Sequence, residues 1–165
     1  MQGTIGKEEV SHRTPALKLA PQKAVIFLKW EEFEKLYHYE FPSDKKYREL
    51  TRDRFCFCCL TSLRHSDLDI LRRANFDDPL EPTKLTFISK KTNGGLTIFL
   101  VPEAVELHKK YISIPTGGLA FPKKSNQKMN KNIKEIAKML GFTREVEVMQ
   151  YCGKNRFTEL LPYVM

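Results

Sequence analysis

The sequence predicts an α+β domain, mainly helical, with one β-hairpin inserted between the helices. Two observations carry that expectation. Apolar residues recur at helical spacing in several separate stretches, and over "KLTFISKKTNGGLTIFLVP" the period changes to two around an "NGG" turn. No internal repeat or low-complexity segment interrupts this order.

Residues 1–22 carry two prolines and scattered polar residues without any period, as expected of a flexible N-terminal arm. The stretch "KWEEFEKLYHYEF" then places Trp30, Phe33, Leu36 and Tyr37 on one helical face, with glutamates early in the segment. "FPSDKKYRELTRDRFCFCCLTSL" predicts a second helix with Ser43 as its cap. Leu50, Arg54 and Cys58 are spaced by four, and from Phe55 onward the segment is apolar on every side. Its second half should therefore pass through the core. "HSDLDILRRANF" predicts a short helix from Ser66, with Leu68 and Leu71 inward.

In the hairpin, Leu85, Phe87 and Ser89 alternate with polar residues, as do Leu96, Ile98 and Leu100. Asn93, Gly94 and Gly95 between them suit a turn that needs positive φ. Pro102 belongs at the first turn of the helix "PEAVELHKKYI", and "IPTGGLAFPKK" reads as a loop. "SNQKMNKNIKEIAKMLGF" predicts a helix capped by Ser125 and ended by Gly141. Its inner stripe is Met129, Ile133, Ile136, Ala137 and Leu140. The tail "REVEVMQYCGKNRFTELLPYVM" alternates as a strand and turns near Gly153 and Lys154.

At 165 residues the chain is expected to form one domain, spanning 23–165 after the arm, and 41% hydrophobic residues suffice for a core. No run of about 18 apolar residues exists to span a membrane, and the first residues lack the apolar stretch of a secretory signal. Of the four cysteines, Cys56, Cys58 and Cys59 crowd one helical segment and Cys152 stands apart, which fits no disulfide framework. Reduced thiols and a cytoplasmic location follow as expectations. Cys56 and Cys59 share a helical face with His65 downstream, but no second ligand pair stands at finger-like spacing, so neither metal nor other cofactor is expected. Trp30 is read as a core residue rather than a stacking platform. The net charge of +8 favours an anionic partner, most simply nucleic acid.

The stretch "FCFCCLTSLRHSDL" sets a guanidinium directly behind a buried run. Arg64 and Asp67 are three apart, within reach of an ion pair that would only fix the start of the next helix. Alternatively, the end of a core helix holds the arginine stem rigid and lets its planar fork grip a phosphodiester, with Asp67 positioning it. Lys90 and Lys91 stand beside "TNGG" at the hairpin tip, either as a solvated pair or as a proton donor and backbone contact. Lys123 and Lys124, near a helix N-terminus, suit backbone phosphates or a solvated loop equally.

"CLTSLRHSDL" resembles the first arginine box of the tyrosine recombinases, the phage-integrase family, whose pattern is T-G-L-R-x-S-(D/E)-L. "KWEEFEKL" resembles that family's opening catalytic-domain helix, and "ISKKTNGGLTIFLVPEAVELHKKY" its lysine-bearing hairpin and following helix. "FPKKSNQKMNKNIKEIAKMLG" and "EVEVMQYCGKNRFTELLP" resemble integrases of conjugative and integrative mobile elements. The resemblance runs from about Lys23 to the last residue. It implies a tyrosine-recombinase-type catalytic fold and site-specific DNA recombination and integration through a 3′-phosphotyrosyl link, without metal.

By motif, Arg64 matches the catalytic arginine that binds the scissile phosphate, and Asp67 the acidic residue supporting it. Lys91 matches the hairpin lysine that acts as general acid, with Lys90 the neighbouring alternative. The implied partner is double-stranded DNA, with other recombinase protomers a second, and no membrane or small-molecule cofactor. Ser62 stands where the family usually has glycine. The family's H-x-x-R box and tyrosine nucleophile do not follow the tail hairpin, so an incomplete, catalytically inactive catalytic domain that binds DNA weakly is expected. Tyr151 and Tyr163 lie in the terminal hairpin rather than the expected late helix. A non-enzymatic basic module that binds DNA or a recombinase and regulates it is the alternative.

Overall fold

A computed structural model describes residues 28–91 and 93–142. The predicted arm, the terminal hairpin, Cys152, Tyr151 and Tyr163 lie outside the described residues. Five α-helices and one hairpin make up those described: α1 (Trp30–Tyr37), α2 (Glu49–Thr61), α3 (His65–Leu68), β1 (Lys84–Ile88), β2 (Gly95–Phe99), α4 (Pro102–Lys109) and α5 (Asn126–Met139). The mixed helical and two-stranded order is the α+β arrangement that the change of period predicts. No helix among the described residues is long and apolar enough to cross a membrane.

The centre of the molecule is α2. It packs against α1, α4 and α5, and every residue from Thr51 to Thr61 is buried. The expected burial of its second half therefore extends to nearly the whole helix. The reason lies in polar side chains that the helix takes into the core with it. Asp53, fully buried, accepts hydrogen bonds from Arg52 Nε (2.7 Å) and Tyr111 Oη (2.9 Å), with Lys110 Nζ at 3.7 Å. Arg52 also donates to the Tyr39 carbonyl and lies over the Phe41 ring. One carboxylate thus ties α2 to the end of α4, and its basic neighbour ties α2 to the loop after α1. Burial, and then the Asp53 charge, push the Tyr111 hydroxyl far above its ordinary pKa.

Ser43 does not cap a helix. It is the first residue of a 3-10 turn, Ser43–Arg48, preceded by Pro42, with no side-chain cap hydrogen bond. The prolyl φ of −56° sets the chain up for the tighter turn, and α2 follows only at Glu49. Arg48 in that turn pairs with Glu135 of α5.

Strand β1 keeps the predicted alternation, whereas in β2 Leu96 is exposed and Ile98 only half-buried. Leu85 pairs with Ile98 and Phe87 with Leu96, and Leu85, Phe87 and Ser89 are buried. Asn93 takes the positive φ (53°), while Gly95 belongs to β2. The outward face presents Ile88 and Phe99, both well exposed. Phe76 bridges to Leu85 and Asn75 Nδ2 donates to the Thr86 carbonyl, so β1 is covered on its far edge.

Pro102 opens α4 at its first turn as expected. Ser125 Oγ accepts from the Lys128 amide at 3.4 Å, Met129, Ile133, Ile136 and Ala137 face inward, and Gly141 ends α5 at φ 75°. Trp30 is half-buried against the core and stacks on Phe33 at 5.5 Å, as a packing residue would.

Candidate nucleic-acid interface

The turn after α2 carries the candidate arginine. Ser62 sits in the left-handed region at φ 56°, ψ 16°, which costs an L-residue with a Cβ about 1–2 kcal/mol. Buried Leu63 anchors the turn on its other side. Ser62→Gly is expected to raise the unfolding free energy by about 0.5–1 kcal/mol, read as a higher urea midpoint at unchanged slope.

Arg64 is the N-cap residue of α3, and its carbonyl accepts from the amides of Asp67 and Leu68, both at 3.0 Å. Its side chain is 37% exposed, and Nη1 lies 3.9 Å from Asp67 Oδ2. At that distance and exposure the pair holds the guanidinium loosely, leaving its donors available to an anion from solvent. Asp67 itself is buried, and its other oxygen, Oδ1, accepts the Lys90 backbone amide at 3.0 Å. One carboxylate therefore sits between the arginine turn and the tip of the hairpin.

In the same turn, the Ser89 amide donates to the Gly94 carbonyl (3.0 Å) and the Asn93 amide to the Ser89 carbonyl (2.9 Å), closing the tip. Lys90 and Lys91 are exposed, and neither side chain has an ion pair among the described residues. The buried Ser89 hydroxyl has no hydrogen-bond partner among the described residues. Thr92, next to Lys91, is outside them.

Lys123 and Lys124 lie on the loop between α4 and α5, and this loop folds back beside the arginine turn. The Ala120 amide donates to the Leu71 carbonyl (2.9 Å) and the Arg73 amide to the Gly118 carbonyl (3.0 Å). Gly117 and Gly118 reverse the chain there at φ 66° and 86°. Lys123 is exposed and, with Arg72, lines a cleft of about 550 Å³ floored by Leu119 and Pro122. Lys124 is half-buried and donates to the Tyr47 carbonyl at 3.2 Å. Burial, and then the charges of Arg54 and Lys128, lower its pKa from the ordinary lysine value. A phosphate near it would oppose that shift.

Sequence reasoning set Lys91, with Lys90 as the alternative, beside Arg64 and Asp67; the structure brings Asp67 to Arg64 Nη1 and to the Lys90 backbone amide, and Lys91 lies one residue farther along. That reasoning missed Arg72, and it missed the partners of Arg54. That guanidinium is fully buried and donates to the Pro122 carbonyl (2.8 Å), to His65 Nε2 (3.2 Å) and to Asp69 Oδ1. The available signal was a charge on the inner stripe Leu50–Arg54–Cys58, which requires a counter-charge in the core. Cys56, Cys58 and Cys59 are buried, and no group of three or more possible metal ligands is found among the described residues.

No family model, curated protein or solved structure matches this chain. What the site can do chemically rests on its own geometry. It offers a half-open guanidinium beside a buried acid, exposed ammonium groups on the adjoining hairpin, and a basic loop alongside. Such a surface suits an extended polyanion better than a single small anion.

Proposed function

We propose that this chain is a tyrosine-recombinase-type catalytic-domain segment that grips a DNA backbone through Arg64, in the service of site-specific recombination and integration. The observation that carries the reading is the division of Asp67 between Arg64 and the Lys90 amide. An acid meant only to neutralise the arginine would meet it closely. This one stands at 3.9 Å and spends its other oxygen on the hairpin. In this reading Arg64 binds the scissile phosphate in its planar fork. Lys91, with Lys90 as the alternative, reaches from the hairpin tip to protonate the leaving 5′-oxygen. Lys123, Lys124 and Arg72 follow the flanking phosphates, which position the duplex without reading its sequence. Double-stranded DNA is the partner, and other recombinase protomers are a second.

These 165 residues contain no H-x-x-R sequence. A second arginine and an imidazole would be needed to stabilise the charge that builds on the phosphoryl oxygens. The chain by itself is therefore expected to bind a nicked suicide duplex without forming a covalent adduct. Denaturing electrophoresis tests this, and an adduct abolished by Tyr151→Phe or Tyr163→Phe would overturn it. The binding reading itself is tested by anisotropy of a labelled duplex across salt. Affinity should fall steeply as salt rises, and a salt-independent or absent signal removes the DNA assignment.

A further inference from the structure

Arg54 is the largest fully buried side chain in the described residues, yet it carries a charge. An apolar residue would fill the Leu50–Cys58 stripe without the desolvation cost of several kcal/mol that a buried ion carries. The guanidinium is not even fully satisfied, since its Nε has no partner among the described residues. Its remaining donors all go to one neighbourhood. Nη1 donates to the carbonyl of Pro122, the residue before Lys123, while Nη2 meets Asp69 and His65, the residue after Arg64. A charge in the core of α2 thus joins the arginine turn to the loop that bears Lys123 and Lys124.

His65 completes the centre. Its Nδ1 lies 3.5 Å from Asp69 Oδ2, and its Nε2 lies 3.2 Å from Arg54 Nη2. Arg54 can only donate, so Nε2 must accept and the proton resides on Nδ1, facing Asp69. That is the neutral ring. Protonation would place a second donor at Nε2 against the guanidinium. The charged and titratable groups facing the ring are Arg54 and Asp69, with Lys124 next beyond through Arg54.

We infer that Arg54, His65 and Asp69 form a positioning centre that seats the Lys123–Lys124 loop beside Arg64, and that it holds only while His65 is neutral. This rests on the DNA reading above for its purpose, but the seating of the loop is a property of the free protein. Burial, with Arg54 adding to it and Asp69 opposing, lowers the His65 pKa below the ordinary histidine value of 6.5. A base whose native pKa is depressed favours the folded, neutral state. Its contribution is fully present above the ordinary value and is lost as pH falls through the native one.

The test compares wild type, Arg54→Met and His65→Gln. Methionine keeps an apolar side chain on the stripe, and glutamine offers one acceptor and one donor, like the neutral ring. Two quantities are read between about pH 5 and about pH 8, a range that spans histidine titration. They are ¹⁵N order parameters at Lys123 and Lys124 in the free protein, and the slope of log affinity for a labelled duplex against log salt. Fluorescence of Trp30, the single tryptophan, reports that each protein stays folded.

In the wild type the order parameters should fall on acidification, and the slope should flatten by about two, one for each displaced lysine. Arg54→Met should give the low values at every pH, and adding Lys123→Ala and Lys124→Ala to it should change the slope no further. His65→Gln should hold the neutral-pH values throughout. Wild-type order parameters and slope in Arg54→Met would overturn the positioning role. An acid loss in His65→Gln equal to that of wild type would overturn the role of the ring, and should Arg54→Met not fold, this variant carries the test. Order parameters that behave as expected, with no duplex bound by any variant, would uphold the centre and sink the DNA reading instead.

Discussion

Asp53→Ala is expected to remove about 3 kcal/mol of folding free energy, because it leaves the buried Arg52 guanidinium only its longer ion pair with Glu49 (3.3 Å) and strips the Tyr111 hydroxyl of its acceptor. Asp53 is fully buried and holds Arg52 at 2.7 Å and the Tyr111 hydroxyl at 2.9 Å. Against a total stability of about 5–15 kcal/mol for a domain of this kind, such a loss leaves a large unfolded fraction. Urea denaturation followed by Trp30 fluorescence measures it as a fall in midpoint. Tyr111→Phe provides the contrast. It deletes one hydrogen bond while leaving the Asp53–Arg52 pair intact, and should cost only about 1 kcal/mol. Equal losses from the two substitutions would show that the carboxylate matters as a partner for tyrosine, and that the ion pair is dispensable.

Arg64→Ala should weaken duplex binding by about tenfold to a hundredfold, the range for one hydrogen-bonded contact to a charged group. The salt slope should fall by about one, as one phosphate contact is lost. Stability should move by no more than about 0.5 kcal/mol, because the side chain is 37% exposed and its pair with Asp67 is long. That separation makes the result informative, since lost affinity cannot then be unfolding. Binding left unchanged by Arg64→Ala would place the DNA-contacting surface elsewhere. The chain would then be better read as a basic module that regulates a recombinase or coats DNA.

Much of the fold was legible because it depends on local periodicity. The stripe Met129–Ile133–Ile136 with Ser125 before it and Gly141 after it specifies α5 from sequence alone, and the structure follows it. The alternation before "NGG" likewise fixes which β1 residues turn inward, whereas in β2 Leu96 is 45% exposed despite the same period. Ser43 failed for a local reason as well, since the proline before it favours a tighter turn that a serine cap signal does not reveal.

The interface was legible only in part. Arg64 and Asp67 are three residues apart, so their meeting follows from one helical turn. The contact from Asp67 to the Lys90 amide spans 23 residues and depends on how the hairpin docks. Arg54 meets the Pro122 carbonyl across 68 residues, and nothing in the periodicity of either segment announces it. The charge on the inner stripe says that a partner exists. Which partner it finds is a matter of tertiary packing.

The three thiols of α2 have a practical consequence. Cys56, Cys58 and Cys59 are at most 5% exposed, on the one helix against which α1, α3, α4 and α5 all pack. An alkylating reagent can reach them only when that helix leaves its surroundings, so the rate of their modification times the opening of the whole assembly and ignores fraying at the edges. Any ligand that prefers the closed form must slow that chemistry by mass action. These three sulfurs thus serve as a built-in clock, able to register an occupied surface without knowledge of what occupies it.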